Sequence, residues 1–134
     1  MIYRIGISLI VLVIFIAAGC KKNDHDKKQS LTGTWRLIIQ TGGLTGNQRY
    51  TPPASEIHLL HININGTYSF TVDDTVKGHG NYQLVQVQSI YTATTVDAIA
   101  FGSSNTQLYT FKKDTLLLTD NHAEPFSSSY IRIR

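Results

Sequence analysis

After residue 30 the sequence is a succession of short segments in which apolar and polar residues alternate, separated by turn-forming residues. In one of them Tyr68, Phe70 and Val72 alternate with serine and threonine. Because successive side chains of a strand point to opposite faces, this alternation predicts strands with one buried face. No window after residue 20 keeps apolar residues at helical spacing together with helix caps. The pattern therefore predicts an all-β fold.

The alternating segments predict about eight antiparallel strands, most of them joined to their neighbours by hairpins. The predicted strands cover residues 35–40, 56–64, 67–72, 80–87, 90–96 with 98–101 as one or two strands, 107–112, 115–119 and 130–134. Asn65-Gly66 favours a type I′ turn, and residues 41–53 favour a long loop. Because closure removes exposed sheet edges, we predict an up-and-down barrel. A β-sandwich is the alternative, although sandwiches favour crossover connections.

The N-terminus begins with a short positive segment and an apolar stretch, residues 5–16, that leads into Ala17-Ala18-Gly19-Cys20. As a helix this stretch rises about 18 Å, which is too short to span a bilayer and is typical of a signal peptide. The run resembles the lipobox of bacterial lipoproteins, with Ala17 where leucine is usual. The resemblance implies that residues 1–19 are removed and that Cys20 carries acyl chains. An uncleaved anchor and an ordinary secretory cleavage are the alternatives.

Residues 20–30 are predicted to be a lipidated N-terminus followed by a polar tether, because residues 21–30 contain no apolar side chain. Fully extended, this tether reaches about 33 Å. Residues 21–26 loosely resemble the charged export tags of some bacterial surface lipoproteins, and a plain spacer is the alternative. We therefore expect a lipid-anchored protein of the bacterial cell envelope, in the outer membrane, with the membrane as a partner.

Charge and side-chain chemistry exclude several classes of function. From residue 31 onward seven basic residues balance seven acidic ones, so the folded part has no basic stripe for a nucleic acid. Cys20 is the only cysteine, which leaves no disulfide and no thiolate metal site. His58 and His61 lie three apart and point to opposite faces of a strand, so we predict no metal site. No catalytic pattern stands out, and we predict neither an enzyme nor a cofactor.

The predicted barrel domain, residues 31–134, begins with Leu31-Thr32-Gly33-Thr34-Trp35, which places a Gly-x-Trp motif at the entrance to the first strand. This motif resembles the opening signature of the calycin barrels, which are the lipocalins and their relatives. Other segments agree with the resemblance: Asn65-Gly66-Thr67-Tyr68, Gly80-Asn81-Tyr82, residues 114–118 and Tyr130-Ile131-Arg132.

The resemblance implies a lipocalin-like domain in which Gly33 bends the chain under one end of the barrel and Trp35 plugs that end. A late arginine would lie across the indole as a cation–π contact. We expect Arg132 in this role because it shares a face with Tyr130, and Arg134 is the alternative. If there is no such contact, Trp35 is an ordinary core aromatic.

An eight-stranded barrel is either filled by side chains or holds one small ligand. The candidate cavity residues are apolar or tyrosine residues predicted to face inward: Leu37, Ile39, Tyr68, Phe70, Tyr82 and Leu84. Apolar bodies with two phenolic hydroxyls predict a small, largely apolar ligand. A filled barrel that contacts another envelope protein, through its rim or through residues 41–55, is the alternative function.

Overall fold

The computed structural model describes residues 30–133. The predicted signal peptide, Cys20, the tether before Ser30 and Arg134 lie outside the described residues. The described part contains nine strands: β1 (Gly33–Gly42), β2 (Gln48–Tyr50), β3 (His58–Ile62), β4 (Thr67–Val72), β5 (Thr75–Gln88), β6 (Thr95–Phe101), β7 (Asn105–Lys112), β8 (Thr115–Asp120) and β9 (Phe126–Ile133). Within residues 30–133 there is no helix of the length and apolar character that crossing a membrane requires.

The strands form one antiparallel sheet that closes on itself. β1 and β3 to β9 follow one another in chain order, and β1 pairs with β9 to complete an eight-stranded barrel. The three residues of β2 add a short extra strand beside the end of β1, within the predicted long loop. The predicted up-and-down barrel is therefore confirmed, and the sandwich alternative is wrong.

The hairpin turn at Asn65-Gly66 differs in type from the sequence prediction. The hairpin at Asn65-Gly66 is present, but of these two residues only Gly66 has a positive φ, of 83°, and its N–H donates to the Asn63 carbonyl oxygen over 3.1 Å. This is a longer turn than the predicted type I′ turn, which needs two consecutive positive φ angles. Such a pair occurs instead at Asp73 and Asp74, with φ of 47° and 61°, between β4 and β5.

Large side chains fill the centre of the barrel. The largest fully buried residues come from four different strands: Trp35, Leu60, Ile62, Ile99, Leu116 and Leu118. Beside them Tyr68 and Phe101 form an edge-to-face pair with ring centroids 4.7 Å apart. The barrel is thus closed by hydrogen bonds and stabilised by a packed apolar core, with no covalent link among the described residues.

A β-bulge in β1 moves one predicted cavity residue to the outer surface. Leu37 pairs with Tyr130 and Ile39 with Ser129, which leaves Ile38 as the extra residue. Because paired residues share a face, Leu37 points inward with the buried Tyr130, whereas Ile39 points outward with Ser129. The prediction that Ile39 lies inside with Leu37 is therefore wrong, since one inserted residue reverses the alternation.

The barrel wall opens between β6 and β7. The two strands pair only from Ala98–Leu108 to Phe101–Asn105. The preceding residues of β6, 95–97, pair with β5, while residues 109–112 of β7 pair with β8. β6 and β7 therefore separate over the remainder of their length.

The loop at the end of the β5–β6 hairpin, residues 89–94, is bonded to the β8–β9 connection. The Tyr91 hydroxyl donates to the carbonyl oxygens of Asp120 and His122 over 2.6 and 3.0 Å. The Asn121 amide donates to the Gln88 carbonyl oxygen over 3.0 Å. These bonds hold the hairpin end away from continued pairing with β7. A strand over residues 90–94 was predicted wrongly, because these residues form a turn in which Ala93 has a positive φ of 54°.

Candidate functional site

A cleft of about 610 Å³, open to solvent, lies where β6 and β7 separate. Its apolar lining comes from β5, from β7 and from the segment before β1: Leu31, Tyr82, Leu84, Tyr109 and Phe111. Ser30, Thr32, Asp97 and Thr110 supply its polar groups. The cleft is therefore a mostly apolar site in the side of the barrel, beside the packed core.

Leu84 shows why the separation of the strands creates a site. It pairs with Ile99, so both side chains belong to the inward row, and Ile99 is fully buried. Leu84 is nevertheless 57% exposed. Ile99 is the last residue of the inward row in β6 that pairs with β7, since residues 95–97 have no partner in that strand, so Leu84 lies at the edge of the open part of the wall. A large apolar side chain is left facing solvent, where a ligand could cover it.

Asp97 and Tyr109 determine the polarity of the cleft. Burial, and then the negative charge of Asp97, raise the pKa of the Tyr109 phenol, so Tyr109 stays neutral and able to donate a hydrogen bond at physiological pH. The Asp97 carboxylate accepts a hydrogen bond from the Gln86 amide over 3.2 Å. The Tyr82 hydroxyl already donates to the Asn63 carbonyl oxygen over 2.9 Å, which fixes its ring as part of the wall.

Gly33, Trp35 and Arg132 act together at the end of the barrel next to the cleft. The guanidinium carbon of Arg132 lies 4.2 Å from the centroid of the Trp35 ring, so the expected stack is present. Gly33 has φ of 139°, and a Cβ there would lie 2.6 Å from Nη1 of Arg132. Residue 33 must therefore be glycine if Arg132 is to lie across the indole in this position.

The same unit holds the segment that forms one wall of the cleft. Arg132 donates from Nη1 to the Thr32 carbonyl oxygen over 2.9 Å and from Nη2 to the Ser30 carbonyl oxygen. The Trp35 indole N–H donates to the Leu31 carbonyl oxygen over 2.8 Å. Since three consecutive carbonyl oxygens have a partner, residues 30–32 are fixed in place and Leu31 is buried.

The other predicted cavity residues lie apart from the cleft. Tyr68 and Phe70 pack against Phe101 in the core, with the Phe70 and Phe101 centroids 5.7 Å apart. Leu37 and Phe70 line a separate space of only about 70 Å³, too small for an organic ligand. Ile39 lies on the outer face. Of the six predicted residues, the cleft therefore brings together Tyr82 and Leu84.

Sequence reasoning missed Leu31, Tyr109 and Phe111. The alternation of Tyr109 and Phe111 in the predicted strand 107–112 carried the same signal as that of Tyr82 and Leu84 and could have added them. Leu31 carried no such signal, because it precedes the first strand and is buried through the contacts of Trp35 and Arg132.

The histidines of β3 have separate partners. His58 Nε2 lies 2.9 Å from Glu56 Oε2 and 3.2 Å from the Tyr50 hydroxyl. His61 Nδ1 lies 3.1 Å from the Thr34 hydroxyl. Among residues 30–133 no three side chains of the types that bind metal come together.

No protein-family model, curated protein or solved structure matches the chain.

Proposed function

We propose that this protein is a lipid-anchored binding protein of the bacterial cell envelope, with a lipocalin-like barrel whose side cleft holds a small, largely apolar molecule. The observation that carries the proposal is the cleft between β6 and β7. Its volume of about 610 Å³ lies within the range of about 300–1,000 Å³ that is usual for small-molecule sites.

The chemistry of the lining narrows the ligand. Leu84 and Phe111 favour an apolar body, because covering such side chains removes apolar surface from water. The Tyr109 phenol can donate a hydrogen bond, and the Asp97 carboxylate can accept one. A carboxylate disfavours an anionic group beside it. We therefore expect a neutral or cationic ligand with a hydroxyl or amino group rather than a free fatty acid.

Binding of N-phenyl-1-naphthylamine, a neutral apolar amine that fluoresces in apolar sites, tests this proposal. Residues 21–134, produced without the signal peptide, should bind the probe, and a Leu84→Asp variant should bind at least about tenfold more weakly, equivalent to about 1.4 kcal/mol. Leu44→Asp is the matched control, because Leu44 is 73% exposed and lies outside the cleft. Circular dichroism verifies that each variant is folded. Equal affinity for Leu84→Asp and the unsubstituted protein would contradict the proposal.

The anchor is a separate part of the proposal and is supported by Ala17-Ala18-Gly19-Cys20 after the apolar stretch. Two or three acyl chains on Cys20 would hold the protein at a membrane durably, whereas one chain would not. Radiolabelled palmitate should enter the full-length protein in growing bacteria and should not enter a Cys20→Ala variant. Equal labelling of the two proteins, or of neither, would show that Cys20 is not the site of lipid attachment.

A protein partner in the envelope is the second candidate, and the packed centre of the barrel favours it because no ligand could enter there. A photo-crosslinking amino acid at position 84 separates the two functions. A crosslink to a small molecule supports ligand binding, whereas a crosslink to a polypeptide supports the alternative.

A further inference from the structure

We propose that one end of the barrel docks on a bilayer containing acidic lipids. This surface, the tether end, consists of the β3–β4 turn (residues 63–66), the β7–β8 turn with Lys112, and the end of β9. The proposal rests on the proposed lipid anchor at Cys20 and adds an orientation of the barrel on the membrane.

Strand pairing brings these parts together where the chain from Cys20 enters the barrel. Gly33 at the start of β1 pairs with Ile62 at the end of β3. The neighbouring Thr34 pairs with Ile133 at the end of β9. The backbone N–H of Arg132 donates to the Asp114 carbonyl oxygen over 3.3 Å, which places the β7–β8 turn beside the end of β9.

Arg132 binds the Ser30 carbonyl oxygen and so fixes the start of the described chain at this end. Ser30 follows Cys20 by ten residues. Even fully extended, this length of chain spans at most about 36 Å. A lipidated Cys20 would therefore keep the tether end within reach of the headgroups.

The tether end presents an isoleucine where the fold does not require one. Ile64 lies in the β3–β4 turn and is 92% exposed, the highest exposure of any large apolar residue in the described part. The nearby Ile133 is 42% exposed. An isoleucine at the tip of a turn gains nothing from solvent but can enter the boundary between headgroups and acyl chains.

The tether end of the barrel is basic and the opposite end is acidic. At the tether end three basic residues stand against one acidic residue: Lys112, Lys113 and Arg132 against Asp114. The opposite end, here called the acidic end, holds the end of β1 with residues 43–49, the start of β3, the β4–β5 turn and the β8–β9 connection. Its acidic residues outnumber its basic ones: Glu56, Asp73, Asp74, Asp120 and Glu124 against Arg49 and Lys77. A bilayer with acidic lipids attracts the first end and repels the second.

Docking in this orientation brings the cleft to the headgroups. Tyr82, which lines the cleft, donates from its N–H to the Gly66 carbonyl oxygen and from its hydroxyl to the Asn63 carbonyl oxygen. The docked turn and the cleft therefore share a wall, so an apolar ligand could pass between the bilayer and the cleft through little water.

Site-directed fluorescence on the full-length lipidated protein tests docking. With Cys20 acylated, an introduced cysteine is the only free thiol, so Ile64→Cys and the control Leu44→Cys, at the acidic end, can each carry an NBD label. The proteins are reconstituted into phosphatidylethanolamine vesicles with or without phosphatidylglycerol, together with headgroup spin-labelled lipid. We expect blue-shifted, quenched emission at position 64 with phosphatidylglycerol, and neither effect at position 44.

Charge variants test the electrostatic part of docking. Lys112→Gln in the Ile64→Cys background should lower the ratio of docked to undocked protein about fivefold, the contribution of one basic residue near an acidic surface. Lys77→Gln is the matched control at the acidic end and should leave the ratio unchanged. Raising the salt concentration from about 0.1 to about 1 M should weaken docking, since the Debye length falls from about 10 to about 3 Å.

Flotation of the vesicles separates failure of docking from failure of the anchor. Protein that floats with the vesicles but shows equal quenching at positions 64 and 44 would overturn docking and leave the anchor in place. Protein that does not float would overturn both. Binding of the naphthylamine probe in the cleft is measured without vesicles and does not depend on either result.

Discussion

Replacing Arg132 by alanine is the sharpest test of how the end of the barrel is held together. The substitution removes the guanidinium stacked 4.2 Å from the centroid of Trp35. It also removes the donors to the carbonyl oxygens of Thr32 and Ser30. Trp35 would lose its cover, and the segment that forms one wall of the cleft would lose two of its bonds.

The expected loss of stability follows from these contacts. A cation–π contact contributes about 0.5–2 kcal/mol. Hydrogen bonds from a charged group contribute about 1.5–3 kcal/mol each, and less where solvent competes, as it does around the half-buried Arg132. Because the contacts share one side chain and do not add, we expect the free energy of unfolding to fall by about 2–4 kcal/mol.

Urea unfolding of residues 21–134, followed by tryptophan emission, measures this effect directly because Trp35 is the only tryptophan. Emission of folded Arg132→Ala should shift to longer wavelength as water reaches the indole. The stability and emission wavelength of Arg132→Lys should lie between those of Arg132→Ala and of the unsubstituted protein, since lysine keeps the charge and lacks the planar set of donors. Arg49→Ala, at an exposed position, should change stability by less than about 0.5 kcal/mol. If Arg132→Ala behaves like Arg49→Ala and its emission is unchanged, the stack does not stabilise the barrel.

Three further predictions concern single residues. Gly33→Ala should cost about 1–3 kcal/mol in urea unfolding and expose Trp35 to acrylamide quenching, because its Cβ would displace Arg132 and strain the backbone; unchanged quenching would contradict this. Burial raises the pKa of Tyr130 to about 12, so its contribution to stability is present below pH 10 and is lost as the pH rises toward 12. Tyr130→Phe should therefore lose less stability between pH 10 and 12 than the unsubstituted protein, as measured by urea unfolding at each pH. An equal loss in the two proteins would contradict this prediction. Tyr91→Phe should speed hydrogen exchange in residues 89–94 and cost about 1 kcal/mol by removing the bonds to Asp120 and His122; unaltered exchange would show that these bonds do not hold the loop.

The fold was predictable because its determinants are local. Alternation of inward and outward residues defined β4 and β8 almost to the residue, and the need to remove sheet edges indicated closure. The three residues of β2 are all exposed, so they carry no alternation that could reveal a strand. The first part of β5, residues 75–79, was missed because it holds Gly78 and mostly exposed side chains.

The site was predictable only in part because its determinants are not local. A single inserted residue, Ile38, moves Ile39 to the outer surface, and the sequence of β1 does not indicate where this bulge lies. The cleft exists because β6 and β7 stop pairing after Ala98 and Leu108. That separation depends on bonds between residues 89–94 and the β8–β9 connection, which no sequence pattern of either segment contains.

Native mass spectrometry of the full-length protein, purified from bacteria in mild detergent, tests most directly whether the cleft between β6 and β7 is a binding site. We predict a mass above that of the covalent chain, from one retained molecule that collisional activation releases. Leu84→Asp should lose this molecule, and Leu44→Asp should keep it. A covalent chain with no added mass, or an added mass that survives Leu84→Asp, would contradict ligand binding in the cleft.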